Sequence, residues 1–434
     1  CNAGGMGSFR NNYSRLGKSY GKPVIGTVMI CPSVSGSCTQ KQLEEVAVAV
    51  IPGGSSDGMT TLGSARTSFV VRLDNGEKLA EFATGNIDGD FANVRGDCNG
   101  NTSLVEADIT GDMSCLSTVP GTFLTRCYVG DSAGRLWKLE IGSASRSAWT
   151  MTMFYDPYDM EGMNIPLNDP IRAPVYEAPA ISLTSTTNEP VIVYGGGDVD
   201  DLLNTTHKAF VVSITDTVTS SVPTPPLPWE DDLCFRTLGG GQFNGPRLNW
   251  KIFLGYDSSL TTIPGEPAGM RLMGQPIIYG GVTYFTTYIP QADDACSMGA
   301  GRIYGLDYVL TDGAGDVPRP RLPDESDPYT YEPYQEIGSD ATPAVPYGVQ
   351  VASRPSCIGG QSIYDAGIGS GSGTAFGSTG SSQPQLVIQT GLNTGEAAEQ
   401  PAGGSTNRSI NQVVRSMIQV IESILVNTWG SVFD

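Results

Sequence analysis

Residues 127–142 read CYVGDSAGRLWKLEIG. A β-prone run, Cys127-Tyr128-Val129, reaches Gly130-Asp131. The small-residue turn Ser132-Ala133-Gly134 then leads into Arg135-Leu136-Trp137-Lys138-Leu139. Two strands around a short Gly-containing loop predict a hairpin. A lone hairpin is barely stable in water, so this one needs neighbours. Related stretches supply them. SFVVRLDNGEKLAEF (68–82) is strand, Asp-Asn-Gly turn, strand, while AFVVSITD (209–216) and GRIYGLDYVLTDG (301–313) repeat an apolar strand that ends on an acidic residue. Further β-branched runs, PVIGTVMI (23–30), VAVAVIPGG (46–54), PVIVYGGG (190–197) and PIIYGGVTYFTTYIP (276–290), precede them.

Alternation and Gly/Pro punctuation favour strands throughout. Four-stranded units recurring roughly every 40 to 70 residues suggest the blades of a propeller. The expected fold is therefore all-β: a β-propeller with irregular blades and long insertions over residues 1–358. Residues 359–383, GGQSIYDAGIGSGSGTAFGSTGSSQ, read as a flexible Gly/Ser-rich loop. Residues 384–434 are expected to hold a last strand and a C-terminal amphipathic helix packed on the propeller. That helix, 409–425, carries Ile410, Val413, Val414, Met417, Ile418, Ile421, Ile424 and Leu425 on one stripe.

The 434 residues amount to two or three average domains by length, although a repetitive β fold can absorb them in one. Gly 55, Pro 29 and only 16% charged residues agree with many turns between short strands. A net charge of −20 argues against nucleic acid, which needs a clustered basic surface. No apolar run reaches the roughly 18 residues of a membrane-spanning helix. Nine cysteines without Cys-x-x-Cys spacing and a single histidine, His207, make zinc a poor fit and disulfides in an oxidising compartment a good one. Cys31 and Cys38 enclose CPSVSGSC and are expected to bridge, and Cys115 with Cys127 could close the loop between them. Cys98, Cys234, Cys296 and Cys357 have no pairing legible in the sequence. Cys1 is left over, either as the lipid-anchored first residue of a lipoprotein or as the start of a processed chain.

Beyond these patterns, the chain resembles the C-terminal β-propeller domain of the PilC/PilY-type type IV pilus tip adhesins. LGKSYGKPVIG (16–26) is similar to that family's opening motif, and EEVAVAVIPGG with FVVRLDNGEKLAEFATG is similar to its first complete blade. ADITGD (107–112) followed by YVGDSAGRLWKLEIG is similar to its acidic loop and Tyr-Val-Gly-Asp hallmark, although Glu140 lies just past the usual Asp position. Residues 269–313 are similar to a later blade, and the likeness runs in order over roughly residues 16–345. It implies a cell-surface or pilus-tip location, exported through the bacterial outer membrane. It also implies roles in adhesion and in pilus biogenesis, with minor pilins, the pilus filament, or a host or abiotic surface as partners.

Two oxygen-rich stretches are the candidate metal site. Asp97, Asn99 and Asn101 alternate in DCNGNTS, and Asp108 falls twelfth from Asp97; Ca²⁺ takes six to eight oxygens from such loops. The family's calcium loop would map onto Asp108, Thr110 and Asp112, but the insertion MSCLSTVPGTFLTRC (113–127) follows where more acids belong. Ca²⁺ within 86–112 is one reading and acidic turn residues capping strands in solvent the other, while a Cys115–Cys127 bridge could hold here what calcium holds in the family. GGGDVDDLLN (195–204) reads as a blade turn, Trp137 as a blade-core aromatic, and the Tyr-rich DESDPYTYEPYQE (324–336) as a surface loop suited to contact.

No catalytic constellation stands out, since His207 has no triad around it. Two alternatives to a non-enzymatic adhesion module remain. One is the subunit of an extracellular filament. The other is a PQQ-type quinoprotein dehydrogenase, which five tryptophans and no adjacent cysteine pair disfavour.

Overall fold

The computed structural model describes residues 13–18, 21–32, 38–56, 64–83, 94–95, 105–117, 122–160, 163–166, 169–199, 206–219, 236–238, 242–255, 267, 269–290, 299–312, 317–323, 330–339, 342–343, 345–353, 384–391 and 412–416. The hairpin of 127–142 forms as expected. Its register is Cys127↔Leu139, Tyr128↔Lys138, Val129↔Trp137 and Gly130↔Leu136. Gly134 turns the chain at φ +88°, and a Cβ there would lie 2.7 Å from the Tyr158 ring, so both backbone and space demand glycine.

The chain advances as successive antiparallel meanders. Blade I holds β1 (Val24–Ile30), β2 (Glu44–Pro52), β3 (Thr67–Arg72) and β4 (Lys78–Ala83). Its Asp74-Asn75-Gly76 turn closes with Gly76 at φ +72° and the Asn75 side chain accepting from the Glu77 N–H. Blade II holds β6 (Met113–Ser117), β7 (Leu124–Gly130), β8 (Leu136–Glu140) and β9 (Thr150–Tyr155), with the short β5 (Val94–Arg95) parallel to β9. A small hairpin follows, β10 (Asp159–Met160) with β11 (Met163–Asn164). Blade III runs β12 (Ala180–Leu183), β13 (Pro190–Gly196), β14 (Ala209–Thr219), β16 (Gln242–Leu254), with β15 (Arg236–Leu238) on the outer edge.

Blade IV runs β17 (Arg271–Tyr279), β18 (Val282–Ile289), β19 (Ala300–Thr311) and β23 (Tyr334–Ser339), with β24 (Thr342–Pro343) beyond and β20 (Pro318–Pro320) beside β19. The pair β21 (Leu322–Pro323) and β22 (Tyr331–Glu332) lies apart. The last sheet holds β25 (Val345–Ser353), β26 (Pro384–Gly391) and β27 (Gln412–Ser416).

Sheet follows sheet face to face. Strands β1 and β2 lie against β6, β6 against β12, β12 to β14 against β17, and β17 to β19 against β25. The alternation along each strand explains this arrangement, because both faces of a blade are oily. Val129, Trp137, Leu139 and Met151 point from blade II into a core shared with Val28, Val48, Val70 and Phe82 of blade I. Tyr128, Leu136 and Phe154 point the other way, onto Ile192, Tyr194, Val212 and Ile214 of blade III. Val193, Val211, Trp250 and Ile252 leave blade III for Leu272, Phe285, Tyr304 and Leu306 of blade IV. Tyr284, Ile303 and Ile337 complete the series against Val349 and Ile388 of the last sheet. The fold is thus all-β and propeller-like.

One expectation is overturned. Residues 412–416, inside the stripe read as a helix over 409–425, form β27, with Ile388↔Val413 and Val387↔Val414. The adjacent β-branched pair Val413-Val414 suits a strand, and the open edge of β26 satisfies its backbone; pairing outweighs a 3.6-residue periodicity. The rest of that segment lies outside the described residues, as does the Gly/Ser-rich 359–383 run between β25 and β26. Among the described residues, no helix is long and apolar enough to cross a membrane.

Candidate functional site

The Asp108–Asp112 loop precedes β6 and touches three neighbours. Asp108 Oδ2 accepts hydrogen bonds from the Ser56 N–H (2.7 Å) and hydroxyl (2.6 Å), and its Oδ1 lies 3.6 Å from Arg66 Nε. The Thr110 hydroxyl donates to the Val175 carbonyl at 3.0 Å. Asp112 accepts from both the backbone N–H and the ammonium of Lys22, each at 2.7 Å, which holds the Lys22 pKa above its ordinary value. Backbone bonds from Ile109 to Ala65, Gly111 to Gly130 and Asp112 to Tyr176 extend the clasp.

These three side chains are half of the six that the sequence offered as calcium ligands. Each is engaged by a protein partner, and two of the three already face a cation. Among the described residues, no group of three His, Cys, Asp or Glu side chains could hold a metal ion. Asp97, Asn99 and Asn101 lie outside the described residues, as do Cys1, Cys98, Cys234, Cys296, Cys357, Asp200, Asp201 and Tyr329. Cys115 and Cys127, directly opposite on β6 and β7, are disulfide-bonded, as are Cys31 and Cys38. The bridge thus stands beside the acidic loop.

Two acids that the motif search missed organise the molecule more strongly. Asp131, fully buried in the hairpin turn, gathers four donors. Its Oδ1 accepts the Ala133 and Arg135 N–H groups (2.9 Å each), and its Oδ2 accepts Arg135 Nε (2.7 Å) and Trp137 Nε1 (2.8 Å). Asp216, on β14, reaches across to blade II. There the Tyr128 hydroxyl (2.6 Å), Arg126 Nη1 (3.1 Å) and Lys138 Nζ (2.9 Å) all donate to it.

Other ties cross the remaining boundaries. Trp250 Nε1 donates to the Asp307 carbonyl (2.8 Å), joining blades III and IV, and Arg271 Nη1 donates to the Asp198 carbonyl (2.7 Å). Asp198 also lies 3.3 Å from His207 Nδ1, while residues 200–204 of that acidic run lie outside the described residues. Trp137 is fully buried, the blade-core aromatic expected of it. The sequence signal for Asp131 and Asp216 was an acid at the end of an apolar strand; their partners were not legible.

Burial raises the phenols of Tyr128, Tyr158 and Tyr194 above their ordinary value, because the interior disfavours phenolate; the Asp216 charge adds to the effect at Tyr128. Tyr284 is pushed up to about 12 for the same reason. The native state keeps protons that the unfolded chain releases near pH 10. The stability from these groups is complete below that pH and is lost as pH rises above it. Alkaline titration followed by phenolate absorbance should show these tyrosines ionising in one cooperative step with unfolding. Smooth ionisation near pH 10 with circular dichroism unchanged would contradict their burial.

Fold and site together define a propeller-like all-β scaffold whose buried acids tie its blades. No family model matches the chain, and no curated protein matches it. Among solved structures it is similar to the Pseudomonas aeruginosa PilY1 C-terminal domain, with a TM-score of 0.44 and 12% identity over 88% of this chain and 73% of that one.

Proposed function

We propose that the chain is a non-enzymatic interaction module of type IV pili, exported beyond the inner membrane and displayed at the cell surface or pilus tip. The observation that carries this reading is structural. Asp131, Asp156 and Asp216 each face a buried cation inside the fold, and Asp307 holds the half-buried Arg321. Such acids serve rigidity, and the described core is a stiff mount for its surface loops. The motif similarity of residues 16–345 to the pilus-tip adhesins supports the pilus setting, and the two disulfides support an oxidising compartment. Tyr331, half exposed beside the acidic stretch of 324–336, supports contact through that loop. The reading needs no calcium.

Disrupting the gene in its host tests the proposal. Surface piliation and pilus-dependent attachment should fall and return when the chain is supplied in trans. Wild-type piliation and attachment in the disrupted strain would overturn it.

A further inference from the structure

Arg302 leaves two buried guanidinium nitrogens unpartnered among the described residues, where Arg135, Arg146 and Arg172 each leave one. Arg135 sits 2.7 Å from Asp131 and Arg172 2.6 Å from Asp156, each on a carboxylate no more than 10% exposed. Arg302 is only 6% exposed, yet among the described residues its one carboxylate contact is a 3.4 Å approach of Nη2 to Glu336, whose side chain is 68% exposed. Its Nε and Nη1 are buried with no hydrogen-bond partner.

The blade IV register puts a second bare group beside it. Leu272, Thr287, Arg302 and Glu336 stand in one row across β17, β18, β19 and β23. The Thr287 hydroxyl, fully buried, also lacks a partner. Beneath the guanidinium, whose carbon is 4.1 Å from the ring centre, lies Tyr334. Tyr304 follows at 5.5 Å, itself stacked on Phe285 at 4.8 Å. The guanidinium thus lies over an aromatic column, with Nε and Nη1 unpartnered among the described residues.

We infer that Arg302, Thr287 and Tyr334 form a receptor for a small carboxylate monoanion. A buried charged donor left unmatched is costly, so the arrangement favours an acceptor. A planar carboxylate matches the guanidinium edge, with its second oxygen within reach of the Thr287 hydroxyl. One cation balances one negative charge, whereas a phosphate dianion would leave excess negative charge buried in a chain already at −20. Glu336, on the solvent side of the row, acts as a displaceable placeholder: its carboxylate swings away as the ligand enters.

The test is thermal unfolding of the purified full chain in sodium acetate against sodium chloride of equal ionic strength. Acetate at saturation should raise Tm by about 1–3 °C. The shift should grow or appear at lower acetate in Glu336→Gln, which lacks the competing charge. It should shrink in Thr287→Val and vanish in Arg302→Met. If Arg302→Met fails to fold, the opposite responses of the other two variants still decide the matter. No acetate effect in either wild type or Glu336→Gln would overturn the inference. An equal shift from chloride or phosphate would do so as well.

Discussion

Replacing Asp216 with alanine should cost about 3–5 kcal/mol of stability, the range for removing one partner from a buried ion pair. The carboxylate is fully buried and Lys138 is 3% exposed, so neither charge is compensated by water. Without Asp216, the Lys138 ammonium loses its blade III partner, and the Tyr128 hydroxyl loses its acceptor. The Lys138 ammonium would keep Glu140 at 3.5 Å and the Phe154 ring, both weaker substitutes. Chemical denaturation read by tryptophan fluorescence checks the size of the loss. Pairing Asp216→Leu with Lys138→Met should recover much of it, since a matched apolar pair needs no counter-charge. A loss below about 1 kcal/mol in the single variant would mean that the tie contributes little to holding the blades together.

Asp131→Ala should be comparably damaging, at about 3–5 kcal/mol, for a different reason. Here the carboxylate shapes one hairpin rather than joining two sheets. Two backbone N–H groups, the Arg135 guanidinium and the Trp137 indole converge on it, and Arg135 is 4% exposed. Alanine would strand all four donors inside the protein. Asp131→Asn is the sharper comparison: it keeps an acceptor for some of the donors but removes the charge that neutralises Arg135. It should fall between wild type and alanine in an equilibrium unfolding series. Equal stability of all three proteins would remove the turn carboxylate from any account of why blade II folds.

Much of the architecture was legible because its signals are local. The 127–142 hairpin declares itself through strict alternation and a Gly-containing turn, and the Asp74-Asn75-Gly76 turn does the same for blade I. Cys31 with Cys38 and Cys115 with Cys127 were within reach because each pair is close in sequence. What was not legible depended on distant partners. The engagement of Asp112 was out of reach because its partner Lys22 lies 90 residues away. Asp216 looked like any strand-ending acid until β7 and β8 stood beside it. Val413 and Val414 fitted a helical stripe, and only the exposed edge of β26 made them a strand. The Arg302 row was invisible for the same reason: its four residues come from four strands and meet only through register.

The double-sided blades bear on how such a chain can change over evolutionary time. Because blade II lends Trp137 to one core and Tyr128 to the next, cutting between any two meanders leaves an oily wall with nothing upon it. Lineages could lengthen or swap the connecting loops freely, but they could gain or lose a whole meander only if its two neighbours were recut to fit each other. Diversity should therefore collect at the rims, while the stack of sheets is inherited as one block.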